Sequence, residues 1–310
     1  GIPQGAVLAP ILFLIFINDL PQNIGNSLCN MFADDVLLYV TGMTMAEVNS
    51  KLQECFRLAK AWYDKNKLSI NIPKSNVMAI SSVYEDTTSL QAPTFDNQSL
   101  NIIDTSDYLG LTIDKHLLWE HQVRNVFKKI SSKIFILRKL SKILNKELLS
   151  KIFLSCIQPH IDYASTIWGH CTKKLRQKIQ RLQSQAARIV LQNFDYENFH
   201  GIELVRSLKW LNFEQRFQYL NCVLMFKGLH GLVPNYISDV IYLEREINEY
   251  STRSSQNNYV HVPKFSSETF HKAFCVSGPQ LWNKLPKEIR NMKTLSQFKK
   301  ACKAHIFSTV

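Results

Sequence analysis

The 310-residue chain carries 37 Lys and Arg against 25 Asp and Glu, and its 45% apolar content supports a buried core and excludes a disordered chain. Its seven cysteines (29, 55, 156, 171, 222, 275 and 302) form no C-x-x-C pair, which argues against a disulfide framework or zinc ribbon and for an intracellular rather than secreted setting, nuclear or cytoplasmic. The longest apolar run, Val7 to Ile17, is too short to span a bilayer and is broken by Pro10, so no membrane partner is expected.

The charge is unevenly spread. Residues 1–114 hold 6 Lys and Arg against 12 Asp and Glu, whereas residues 115–310 hold 31 against 13. An acidic part suited to cations thus precedes a basic part suited to a polyanion such as nucleic acid. The first residue is Gly1, inside an apolar stretch, which reads as a piece of a longer polypeptide.

In chain order, Gly1-Ile2-Pro3-Gln4-Gly5 has the chemistry of a loop, and "AVLAPILFLIFINDL" reads as a helix with Pro10 in its first turn. Its apolar residues run all round, so burial is expected. Leu28 to Val40 alternates apolar and polar residues on both sides of Asp34-Asp35, the pattern of a hairpin with the two acids at its turn, packed on that helix. Thr44 and Glu47 form a capping box for a helix running through Trp62 and Tyr63 to about Asn66. "KLSINIPKSNVMAIS" reads as strand, Pro73-Lys74 turn and strand; a polar loop from Tyr84 to Gln98 and a hairpin in "LNIIDTSDYLGLTID" follow.

From His116 the pattern turns helical and basic. Val123, Phe127, Ile130, Ile134 and Leu137 mark the inner face of one amphipathic helix, Lys146 to Ile157 a second, and Leu175, Ile179, Leu182 and Ala186 the inner face of a third. A polar section from Glu244 to Asn258 reads as a linker before a final helical unit. His116, His121, His170 and Cys171 lack a complete ligand spacing, so structural roles are expected, and Trp119, Trp168, Trp210 and Trp282 sit among apolar neighbours that place them in cores. No internal repeat, Gly-rich phosphate loop or Ser-His-Asp set is apparent.

Adjacent carboxylates on a tight turn suit a hard divalent cation, but most Asp-Asp pairs are solvated turns, so the neighbours decide. "GIPQGAVLAPILF", followed about twenty residues on by "FADD", resembles the motif B and motif C pair of reverse transcriptases, in the jockey-like branch of non-LTR retrotransposons. "AWYDKNKLSINIPKS" is similar to motif D, "DYLGLTID" to motif E and "WEHQVRNVFKKI" to the start of the thumb; "QPHIDYASTIWGH", "RLQSQAARIVL" and "FCVSGPQLWNKLPKEIR" resemble the segment beyond.

The resemblance implies a fold: an N-terminally truncated α/β palm of the right-hand polymerase type, with an antiparallel sheet and packed helices, over residues 1–114. A helical basic thumb over 115–195 and a mainly helical region of undefined role over 196–310 would follow. It also implies RNA-directed DNA synthesis with Mg²⁺, or Mn²⁺ in its place, on an RNA template and DNA primer with deoxynucleoside triphosphates. Asp34 and Asp35 would be metal ligands, Lys74 a general acid toward pyrophosphate, and Pro3, Gln4, Gly5 and Phe32 contacts to nucleotide and template. Tyr108, Leu109 and Gly110 would form the primer grip. Phe32 stands where a tyrosine is common elsewhere, and Ala6 where a serine is frequent. Motif A, which supplies a further metal-binding aspartate, would lie before Gly1, so the chain alone is expected to be inactive. The alternatives are a non-catalytic nucleic-acid-binding remnant and a group II intron maturase.

Overall fold

The computed structural model describes residues 5–25, 28–95, 98–244 and 258–309. Pro3 and Gln4 lie outside the described residues, as do residues 245–257 of the expected linker. The chain divides into two compact units, one of residues 1–106 and 114–116, the other of 107–113 and 117–310.

In the first unit, helix α1 (Ala9–Ile17) tolerates Pro10 because the first turn has no intrahelical use for its N–H. A short α2 (Leu20–Asn23) follows, and strands β1 (Leu28–Phe32) and β2 (Asp35–Tyr39) pair antiparallel, Leu28 opposite Tyr39 and Phe32 opposite Asp35. Helix α3 (Met45–Lys65) starts at the expected N-cap, where Thr44 Oγ1 accepts the Glu47 N–H at 3.3 Å; the Glu47 carboxylate accepts the N–H of Met43, one residue before the cap, at 2.8 Å. Ile17, Leu20, Ile24, Ala59 and Trp62 form the core, and Cys29, Met31, Val36 and Leu38 pack on it from one face of the hairpin.

Burial of α1 is not found. Ile17 is 2% exposed, but Ile15 is 69% exposed, and Ile11, Leu12, Leu14 and Phe16 are open as well. An apolar helix is buried only as far as it has partners; Phe13 and Ile17 pack into the core with the hairpin and α3, and Phe16 adds only an edge contact to Trp62 that leaves it largely exposed.

The expected strand ahead of Pro73 is also absent. Residues 68–71 are irregular, and Asn71 instead caps a 3₁₀ turn (Ile72–Lys74), its Oδ1 3.3 Å from the Lys74 N–H, while Pro73 has no N–H to give a ladder. The β structure that follows is small. β3 (Asn76–Val77) pairs parallel with β6 (Asn101–Ile102), and β4 (Thr94–Phe95) antiparallel with β5 (Gln98–Ser99). The first unit thus mixes helices with two-stranded sheets, one of them parallel, where a single antiparallel sheet is expected. β7 (Thr105–Tyr108) and β8 (Leu111–Asp114) make the last two-stranded pair.

The second unit is helical. α4 (Glu120–Leu140) turns Val123, Val126, Ile130, Ile134 and Leu137 inward. Phe127, expected on that face, is exposed, because the 3-4-4-3 spacing of the stripe takes Val126 instead. α5 (Lys146–Ile152) runs into a π-helical turn (Phe153–Ile157), then α6 (Gln158–Asp162), α7 (Ser165–Trp168) and α8 (Lys173–Leu191). The π-turn has a local cause: Pro159 cannot donate to the Ser155 carbonyl, and the Gln158 N–H reaches back five residues to Phe153 O.

Leu149, Phe153, Ile179, Ala186 and Trp168 lie in a first core shared by α4 to α8 and by α9 (Gly201–Ser207). α10 (Phe213–Leu229), capped by Asn212, leads to α11 (Asn235–Ser238). Met225 and Phe226 join Trp282, Phe298 and Cys302, from the helices Phe274–Asn283 and Leu295–Ser308, in a second core. All four tryptophans singled out in the sequence are buried.

Candidate functional site

The hairpin tip is built from four residues. Phe32 and Asp35 close the ladder, so the turn itself is Ala33-Asp34, and Asp35 begins the returning strand. Two-residue hairpin turns demand a positive φ at their first position, and Ala33 supplies it at +54° without being glycine. That costs about 1 kcal/mol, a strain of the kind found where a backbone is held for function.

The strain presents two adjacent carboxylates to solvent. Asp34 and Asp35 are both exposed, and among the described residues neither has a hydrogen-bond or ion-pair partner. Other acids of this unit are engaged: Glu47 with Lys51 at 2.6 Å, Asp64 with Lys60 at 2.7 Å and Asp104 with Lys115 at 2.8 Å. Hard oxygen donors left unneutralised side by side suit Mg²⁺, which is commonly held by one or two carboxylates together with water and substrate phosphates. No third His, Cys, Asp or Glu among the described residues gathers with them into a metal-binding group. The residues present therefore fit a divalent cation as part of its ligand set.

Phe32 lies beside the acids on the exposed face of the hairpin. Lys74 is exposed in the 3₁₀ turn, and no hydrogen bond or ion pair joins it to either acid. Gly5 has φ +88° and open space where a side chain would stand, so backbone can be approached closely there.

In the second unit, Leu109 and Gly110 form the β7–β8 turn, both with positive φ, 48° and 78°. Two supports hold this turn, and neither is visible in the sequence motifs. Tyr163 donates its hydroxyl proton to the Leu109 carbonyl from the end of α6. From α4, Gln122 Oε1 accepts the Thr112 N–H at 3.0 Å, and Asn125 Nδ2 donates to Thr112 Oγ1 at 2.9 Å. The available signal was polarity at the wrong place, since Gln122 falls on the buried side of an amphipathic helix.

The outer surfaces of α4 and α8 carry exposed cations, among them Arg124, Lys128, Lys129, Lys173, Lys174, Lys178 and Arg181. The local potential is felt by His160, whose pKa is lowered by burial and by the charges of Lys133 and Lys129. Such a face attracts polyanions. The candidate zinc ligands do other work: His116 Nδ1 lies 3.2 Å from Ser81 O, and His170 packs its ring edge-on against Phe217.

Residues 1–113 match the reverse transcriptase (RNA-dependent DNA polymerase) family. Among curated proteins, the chain is 24% identical over 205 residues to a probable RNA-directed DNA polymerase from transposon X-element of Drosophila melanogaster, covering 61% of this chain and 21% of that protein. It is 27% identical over 198 residues to the RNA-directed DNA polymerase from mobile element jockey of Drosophila funebris, again covering 61% and 21%. A retrovirus-related Pol polyprotein from type-1 retrotransposable element R1 2 of Nasonia vitripennis is 25% identical over 192 residues, covering 56% and 44%. The chain thus spans about a fifth of the first two relatives' length. No solved structure matches.

Proposed function

We propose that this chain belongs with the jockey-like non-LTR reverse transcriptases and serves RNA-directed DNA synthesis, contributing two of the catalytic carboxylates and the surface that tracks primer and template, because its residues 1–113 match the reverse transcriptase family and it is similar to the polymerase of mobile element jockey. The observation that carries this reading is the pair Asp34 and Asp35, exposed and unneutralised on a strained turn. The pair would hold Mg²⁺, with Mn²⁺ as a substitute. When bound, the cation supplies charge neutralisation for the reacting phosphates.

Pro3, Gln4, Gly5 and Phe32 would lie against the incoming deoxynucleoside triphosphate and the RNA template, with glycine permitting close backbone approach. Lys74 would donate a proton to the departing pyrophosphate, for which an exposed ammonium is suitable. Tyr108, Leu109 and Gly110 would seat the primer end on a turn that Tyr163 and Gln122 keep in place. Residues 1–114 would act as palm and 115–195 as thumb, gripping the duplex through its phosphates. An intracellular setting follows from this work; among the described residues, no helix is long and apolar enough to cross a membrane.

Two carboxylates leave the cation one short of the set that such chemistry uses, so the 310 residues by themselves should not extend a primer. The test is incorporation on poly(rA)/oligo(dT) with Mg²⁺ or Mn²⁺. No product is expected from this chain alone, whereas robust incorporation abolished by Asp34→Ala would overturn the claim that a further carboxylate is needed.

A further inference from the structure

A cleft of about 440 Å³ opens in the second unit, away from the β7–β8 turn in sequence and lined by Ser150, Gln158, Lys209, Trp210, Arg216 and Lys303 together with three leucines. Its charge is one-sided. Arg216 is neutralised by Asp162 through a two-pronged contact, Nε to Oδ1 at 2.9 Å and Nη2 to Oδ2 at 2.6 Å, and no carboxylate lines the cleft. Lys209 and Lys303 are exposed, and neither makes an ion pair among the described residues. Two free ammonium groups therefore face a concavity with no counter-charge of its own.

The walls decide what kind of anion fits. The Trp210 ring is stacked on Phe153, centroids 4.0 Å apart and planes 11° from parallel, and is only 5% exposed, so it has no face to offer a nucleobase. Ser150 Oγ accepts the Trp210 indole N–H at 3.2 Å, which leaves the hydroxyl proton free to donate. Donors and positive charge without a stacking platform suit phosphate and sugar rather than base.

The backbone adds a second observation. Lys209 follows α9 as the left-handed residue of a Schellman ending: its N–H bonds Arg206 O at 2.8 Å and the Trp210 N–H bonds Val205 O at 3.2 Å. Its φ is +57°, at a position that glycine fills at lower cost. A lysine thus stands in the lining of the cleft at a position where conformation disfavours it. The lining also includes Leu154 from the π-turn and Gln158 just after it, and such a departure from α-helix is often associated with functional sites.

We infer that this cleft seats one backbone phosphate of a nucleic-acid strand, held by Lys209 and Lys303 and read without regard to sequence. The inference rests on the reading of the second unit as a nucleic-acid-tracking surface and assigns it a specific anchor. It is tested with the full chain and a 5′-fluorescein-labelled dT₂₀ strand by fluorescence anisotropy across a salt series. Lys209→Gln/Lys303→Gln should weaken binding about tenfold and lower the log–log salt slope by about 1.4, as expected for two lost contacts to a single strand, while the exposed control pair Lys287→Gln/Lys299→Gln changes affinity by less than about twofold.

Lys209→Gly separates binding from folding: it should raise the melting temperature by relieving the positive φ and still weaken dT₂₀ binding. Equal losses for both pairs would overturn the cleft as an anchor, as would a Lys209→Gly variant that binds as well as the parent. Calorimetry with inorganic phosphate distinguishes the source, since an effect of the cleft pair on free phosphate with none on dT₂₀ overturns the nucleic-acid assignment. A parent chain that does not bind dT₂₀ contradicts the tracking reading and this inference together; a parent that binds unaffected by the cleft pair contradicts this inference only.

Discussion

His170 shows how a single buried ring can couple folding to acidity. Among the described residues its Nε2 is buried without a hydrogen-bond partner, and its pKa is pushed down to about 4 by burial first, then by the charges of Arg176, His271 and Lys272. The unfolded chain takes up this proton near its ordinary value of 6.5, whereas the folded chain does not until about 4. Between those values the unfolded state binds more protons, so stability falls as pH drops through that window and is unaffected above it. After allowance for the ring's partial exposure the loss is roughly 2 kcal/mol. Urea unfolding of the parent between pH 7 and pH 4 should show the decline, and His170→Phe, which keeps a ring against Phe217, should flatten that part of the profile. An unchanged profile in the variant would place the pH dependence elsewhere.

Helix α1 makes the corresponding point for an element. Ile17 packs against Trp62 and Leu20 in the core, so Ile17→Ala should cost about 2 to 4 kcal/mol by the usual cavity arithmetic. Ile15, two residues earlier on the open side, should accept Gln within about 0.5 kcal/mol and raise solubility. Chemical denaturation of the two variants measures the contrast, and equal costs would mean that the open side is covered in solution.

The same elements show what was legible beforehand. The Thr44 cap of α3 and the inward stripe of α8 were readable because each depends on residues three or four apart in one helix. The depth at which α1 lies was not, because burial is set by partners rather than by a helix's own composition. The missing strand before Pro73 turned on a competition at Asn71, whose side chain captures the Lys74 N–H. At the candidate site, Asp34 and Asp35 and the turn around them stood out by type and order, although the turn proved to lie one residue earlier, at Ala33-Asp34. The brace from Tyr163 to Leu109 joins positions 54 residues apart and leaves no local trace in sequence.

At the scale of the molecule, charge and architecture agree. The acidic N-terminal stretch contains the exposed carboxylate pair, and the basic remainder folds into helices with cations on their outer faces, around cores that exclude every tryptophan from base stacking. Tracking of nucleic acid by such a surface is electrostatic, falls steeply with salt and carries little sequence preference. The chain spans about a fifth of the length of the first two relatives, and the exposed carboxylate pair is the feature on which the proposed reading rests.

The most direct measurement is Mn²⁺ titration of the full chain followed by electron paramagnetic resonance. The account predicts that the parent binds Mn²⁺, that Mg²⁺ displaces it, and that Asp34→Asn/Asp35→Asn removes this binding while leaving the circular dichroism spectrum unchanged. Mn²⁺ affinity equal in parent and double variant would contradict the assignment of Asp34 and Asp35 as the metal-holding pair.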